Sequence, residues 1–178
     1  MIQSNDWFRS VMSLTNADTL SEHREYRLTR TDGGEDQHLR IDLQTHTSYS
    51  QSCGWMSPET LVRRAKKIGL DGVAITDHNT MAAVDTARRA ANSDFLVIPA
   101  EEVDTPEGQL IGLFINEQIE PWQSPLRVID EIKNQGGLVL APHPFDAMRK
   151  GLNTINEYIP ELDAVEARNS RCIRAAYN

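Results

Sequence analysis

From Leu39 onward, short apolar runs alternate with amphipathic stretches, and few folds accommodate that rhythm. The spacing predicts strands over residues 39–43, 72–76, 95–100, 109–115, 138–141 and 163–166, and helices over 57–68, 80–91, 124–135 and 154–158. Local chemistry marks the helix ends. Ser57 is placed to cap the first, Pro58 takes its opening position and Gly69 closes it, while Pro125 and Gly136-Gly137 bracket a later one. Strands alternating with helices pair in parallel, because parallel neighbours need a crossover that a helix supplies. The expected class is therefore α/β over residues 39–178. Residues 1–38 read as a polar N-terminal extension ending in the breaker Asp32-Gly33-Gly34-Glu35-Asp36, with one short helix expected over 6–14.

Composition narrows the function. The 178 residues are enough for one domain with its own core. With 18 Lys+Arg against 26 Asp+Glu, the net charge is −8, so the chain lacks the basic footprint of a nucleic-acid or anionic-membrane binder. An anionic substrate must then be held by local charge, such as a metal. No apolar run approaches a membrane span, and the polar start Met1 to Asp6 lacks a secretory leader pattern. Two cysteines, Cys53 and Cys172, without Cys-x-x-Cys spacing suit reduced thiols in a cytoplasmic protein.

In parallel α/β architectures, function gathers beyond the carboxyl ends of the strands. Those ends carry Asp42-Leu43-Gln44-Thr45-His46-Thr47, Thr76-Asp77-His78-Asn79, Glu101-Glu102 and Pro142-His143-Pro144-Phe145. Gln44 and His46 stand two apart, so an extended segment sends both side chains to one face. Asp77 is either a ligand itself or the acceptor that fixes an imidazole tautomer. Glu102 can bridge two ions, with Glu101 pointing the other way. The prolines flanking His143 restrict its backbone. Any single histidine here is more often a hydrogen-bonded surface residue than a ligand. Three histidines and an acid at four successive strand ends point instead to a site for Zn, Mn or Fe. Cys53 lies close enough after the first motif to approach the site, although a spectator thiol is the commoner case, and Arg168 reads as either a phosphate contact or an ion-pair partner. Gly136-Gly137 follows a helix, the reverse of a phosphate-binding turn.

These segments, with Ile75-Thr76-Asp77-His78-Asn79-Thr80, Ile98-Pro99-Ala100-Glu101-Glu102 and the run from Gly136 to Pro144, resemble the PHP (polymerase and histidinol phosphatase) superfamily across residues 39–171. The resemblance implies a distorted parallel barrel of the (β/α)7 type, with one to three divalent ions at its mouth and hydrolysis of phosphate esters. It places His46, His78, Glu102 and His143 as metal ligands, with Gln44 standing where the family usually has His. Gln51, Ser52 and Cys53 fall where an acid or His is frequent, and so does Gln109. The closing Asp-x-His motif does not follow Pro144 before Asn178. The barrel is thus expected to be incomplete at its C-terminus, completed by a further segment or by a homo-oligomer. The expected activity is hydrolysis of a small phosphomonoester, or of a phosphodiester such as a short oligonucleotide, through a metal-activated water. The alternative is a non-catalytic PHP-like binding module, which Gln44 and the absent motif favour and the four retained ligands oppose. A related amidohydrolase barrel fits less well, since no lysine stands at a strand end to bridge two metals.

Overall fold

The computed structural model describes residues 29–32, 35–50, 53–146, 149–152 and 154–167. The chain divides into two compact units between Arg40 and Ile41. In the first, β1 (Thr29–Asp32) and β2 (Glu35–His38) form an antiparallel hairpin, with Asp32 opposite Glu35 across the breaker. The helix expected over 6–14 lies outside the described residues, as do Gln51, Ser52, Arg168 and Cys172.

The second unit is a curled, incomplete barrel whose strands run β3 (Ile41–Thr45), β4 (Gly72–Ile75), β5 (Leu96–Thr105), β6 (Gly108–Leu113), β7 (Leu138–Ala141) and β8 (Ala164–Val165), hydrogen-bonded in that order. Helices α1 (Pro58–Lys67) and α2 (Val84–Ala90) link the first three strands, α3 (Pro125–Asn134) links β6 to β7, and α4 (Ile155–Tyr158) with a 3-10 turn at Ile159–Glu161 precedes β8. Ser57 caps α1 by accepting the Thr60 N–H at 3.3 Å, and Pro58 opens it. Among the described residues, no helix is long and apolar enough to cross a membrane.

Parallel pairing holds for β3-β4-β5 and for β7-β8, but β5-β6 and β6-β7 are antiparallel. The cause is local: the turn at Pro106 and Glu107 is too short for a crossover, so the chain doubles back as a hairpin. β5 is also longer than its apolar run. It continues through Glu101 and Glu102 to Thr105, so the two acids sit inside a strand and not after one.

Two faces follow from strand alternation. The outer face packs on helices: Val73, Ile75 and Val97 meet Leu61, Val62, Ala65, Val84 and Ala87, while Val103, Leu110 and Val139 meet Val128, Ile129 and Ile132. The inner face has an apolar floor of Ala74, Leu96, Ile98, Ala100, Ile111, Leu113 and Leu140. Each fully buried aliphatic side chain contributes about 1.5–3 kcal/mol against its exposed reference. Further along β5 the same parity places Glu102 and Asp104 above that floor. On β3, Ile41 and Leu43 pack against the floor, and a register shift between Asp42 and Thr45 then inserts one extra residue opposite β4. The bulge inverts parity, so Gln44 and His46 take over the inward face.

Candidate metal centre

Three strands deliver side chains to one carboxylate on a fourth, β5. Glu102 is fully buried, and its Oε2 accepts from Gln44 Nε2 at 3.1 Å and lies 3.1 Å from His46 Nε2 and 4.0 Å from His78 Nδ1. Its Oε1 lies 3.2 Å from His143 Nε2. Thus all five residues singled out as ligands meet at one point. Burial opposes ionisation of Glu102, but the hydrogen bonds from His143 and His46 and the nearby charge of His78 outweigh it and hold the carboxyl well below the usual carboxylate range. Burial also lowers the pKa of His78, against the pull of Glu102, which favours the neutral imidazole a metal needs.

Supporting contacts orient the rings. Asp77 is fully buried and accepts from the Thr47 N–H and Oγ1 at 2.6 Å each and from Ser50 Oγ at 2.7 Å. Ser50 Oγ accepts the His78 backbone N–H at 2.9 Å and lies 3.3 Å from His46 Nδ1. Since the single Ser50 proton goes to Asp77, His46 Nδ1 must be the donor to Ser50. Asp77 therefore orients His46 through Ser50; its carboxylate is spent on the loop and not on the ring of His78. On the other side, Gln109 Nε2 lies 3.4 Å from His78 Nδ1 and donates to Asp104 Oδ1 at 2.8 Å, and Asn79 pairs with Asp104 through two bonds of 2.8 Å. Asp104 escaped the sequence reading. Its signal was its place two residues beyond Glu102, visible only once β5 is known to continue past the acids.

His143 is held in an unusual backbone state. Its φ is +31°, in the left-handed region, and its N–H donates to Glu166 Oε2 at 2.7 Å. Such conformations cost on the order of 1–3 kcal/mol and persist where surrounding structure fixes them. The Glu166 bond and the imidazole contact to Glu102 fix this one.

The donor set fits a divalent cation. His46 Nε2 and Glu102 Oε2 stand 3.1 Å apart, near enough for one cation to be shared by both groups. His143 Nδ1 is buried without a hydrogen-bond partner, the kind of orphan an ion or water accounts for. Imidazole and carboxylate together suit borderline divalent metals. The His46 and His78 rings stack at 4.7 Å and 16°, and one donor atom each from His46, His78 and Cys53 lie within 4.8 Å of one another. Cys53 thus approaches the site, the less common of the two readings its place after the first motif allows. Gln44 enters through its amide nitrogen, as a donor to Glu102. The surrounding cleft of about 780 Å³ is also lined by Tyr49, Thr80, Arg149 and Lys150. The one Asp-x-His triplet in the sequence, Asp36-Gln37-His38, falls within β2 of the N-terminal unit, ahead of the first motif.

The PHP domain family model matches residues 42–136. MJ1587, an uncharacterized protein of Methanocaldococcus jannaschii, is 37% identical over 142 residues, covering 74% of this chain and 82% of its own length. The 5'-3' exoribonuclease Rnm of Salmonella typhimurium is 35% identical over 108 residues, which are 51% of this chain and 36% of the exoribonuclease. A two-domain protein of Bacteroides vulgatus, described as containing a PHP-like metal-dependent phosphoesterase, superposes with a TM-score of 0.63 at 19% identity, covering 74% of this chain and 44% of that one. The chain therefore spans most of the archaeal relative but little over a third of the exoribonuclease.

Proposed function

The chain belongs to the PHP domain family, and from that premise we propose that it is a phosphoesterase dependent on a divalent cation held by His46, His78, Glu102 and His143. The observation that carries this is the convergence of three imidazoles, from the ends of three different strands, on one buried carboxylate. When bound, such a cation supplies Lewis acidity toward a phosphoryl oxygen and toward a water nucleophile.

The remaining contributions come from the chain itself. Glu102 stays ionised and concentrates negative charge between the rings, while Ser50 and Gln109 set which imidazole nitrogens face it. Arg149 and Lys150 bring positive charge to the cleft of an otherwise acidic protein, where it complements a phosphate dianion. Arg149 is steadied by Asp146 at 3.0 Å, and the Lys150 ammonium sits 4.9 Å from the centre of the Trp122 ring. The cleft volume accommodates a small phosphomonoester. A phosphodiester at the end of a short oligonucleotide is the second substrate class, favoured by the exoribonuclease relative.

The test is metal content by elemental analysis, followed by turnover of a chromogenic phosphomonoester and a chromogenic phosphodiester with added Zn or Mn, for the wild type, His78→Ala and His143→Ala. Bound metal with turnover that falls at least 100-fold in both variants is expected. Bound metal without turnover of either ester would overturn the enzyme reading in favour of a binding module.

A further inference from the structure

The loop between β3 and α1 carries both His46 and Cys53, and the described residues on either side of Cys53's approach to the site are tied by backbone hydrogen bonds. Ser50 N–H donates to the Thr47 carbonyl at 3.0 Å, and the N–H groups of Cys53 and Gly54 donate to the Ser50 carbonyl at 3.2 and 3.0 Å. Ser50 is tied to Asp77, and so to β4. At Gly54 the backbone passes so close to Thr47 that an added Cβ would lie 1.6 Å from its carbonyl oxygen, which only glycine permits. These constraints hold Cys53 next to the stacked rings of His46 and His78, only partly exposed and outside any disulfide.

We propose that Cys53 is a metal ligand, its thiolate joining His46 and His78 on a thiophilic divalent cation beside Glu102. This rests on the metal-site reading above and deepens it by naming which metals the site selects. The donor atoms of the three residues lie within 4.8 Å of one another, and ligands sharing a tetrahedral zinc ion stand about 3.6 Å apart, so modest side-chain rotation completes the set. His143, 2% exposed, adds an imidazole to the same carboxylate, its Nε2 lying 3.2 Å from Glu102 Oε1. A thiolate beside imidazoles and a carboxylate favours Zn or Co over the oxygen-preferring Mn and Mg. Binding converts the Cys53 thiol to a thiolate and releases its proton to solvent, with no change of oxidation state.

The experiment uses the full chain carrying Cys172→Ser, so that Cys53 is the one thiol present, with and without Cys53→Ser. Cobalt is titrated by absorption, and Zn and Mn affinities are measured by competition with a chromophoric chelator. The expected result is a near-ultraviolet thiolate-to-cobalt charge-transfer band that disappears in Cys53→Ser, a Zn affinity at least tenfold weaker in that variant, and a Mn affinity changed less than threefold. Saturating Zn, but not Mg, should also slow alkylation of Cys53 at least tenfold in the protein that retains it, a measurement that does not depend on the serine variant folding. Visible cobalt bands without the charge-transfer band, with Zn affinity unchanged by Cys53→Ser, would overturn the thiolate ligand and leave the imidazole-carboxylate centre standing. Failure of the Cys53-containing protein to bind cobalt at all would overturn both.

Discussion

Glu101 and Glu102 are chemically identical neighbours that strand alternation sends to opposite faces. Glu102 looks inward, where imidazoles and an amide stabilise its charge. Glu101 looks outward into the packing beneath the helices, where Oε2 accepts the Ile119 N–H at 2.9 Å and Oε1 has no partner. Burial pushes the Glu101 carboxyl up to about 7, with the Ile119 bond opposing it. The consequence for stability has a definite sign. Below pH 4.5 both folded and unfolded chains hold the proton, between 4.5 and 7 the unfolded chain ionises first and stability falls, and above 7 the penalty is complete. Glu101→Gln keeps an acceptor for Ile119 and removes the charge. It should therefore stabilise the protein at pH 8 by on the order of 1–3 kcal/mol, with the two urea-unfolding curves converging toward pH 5. A variant less stable than wild type at pH 8 would show that Glu101 is ionised and paired in the folded protein.

At the scale of elements, the centre depends on two features of the β3–β4 pair: the bulge that turns Gln44 and His46 inward, and the Asp77 carboxylate that fastens the following loop. Asp77→Ala strips the acceptor from Thr47 N–H, Thr47 Oγ1 and Ser50 Oγ, all buried. The expected cost is about 3 kcal/mol by urea unfolding, since each buried unsatisfied donor costs about 1–3 kcal/mol and the loop relaxes part of the way. Zinc affinity should fall with it, because Ser50 then no longer fixes the His46 tautomer; an unchanged affinity would refute that coupling. These dependencies explain what the sequence made legible. The Ser57-Pro58 helix start and the Gly69 stop were readable because caps are set by their own neighbours. The candidate ligands His46, His78 and His143 were readable because each follows an apolar run. The length of β5 was hidden, since two acids argue against a strand unless imidazoles from other elements await one of them. The place of Cys53 was hidden as well, because it is set by the Asp77 buckle and by the backbone contact at Gly54, both long-range. The antiparallel β5-β6 pair was implicit in the short turn at Pro106-Glu107, but the alternation of helices elsewhere pointed toward parallel pairing throughout.

For the molecule as a whole, the candidate ligands come from the ends of β3, β4 and β7 and from within β5, so one cation would clip four strands together. Glu102 in the middle of this arrangement is buried, so its charge needs compensation in the folded chain. A ligand that binds the folded chain and not the unfolded one stabilises it by about 2.7 kcal/mol at 100 times its Kd, which for a chain of this length raises Tm by about 5–10 °C. Saturating Zn should produce that rise in calorimetry, and EDTA should reverse it. Glu102→Gln retains the size and hydrogen-bonding capacity of the side chain but not its charge. It should lose the Zn-dependent rise while keeping a Tm close to that of the metal-free wild type, because the cost of burying a carboxylate disappears together with its attraction to the rings. A rise of equal size in Glu102→Gln would mean that the cation binds away from this carboxylate, and the four strands would then meet there for structural reasons alone.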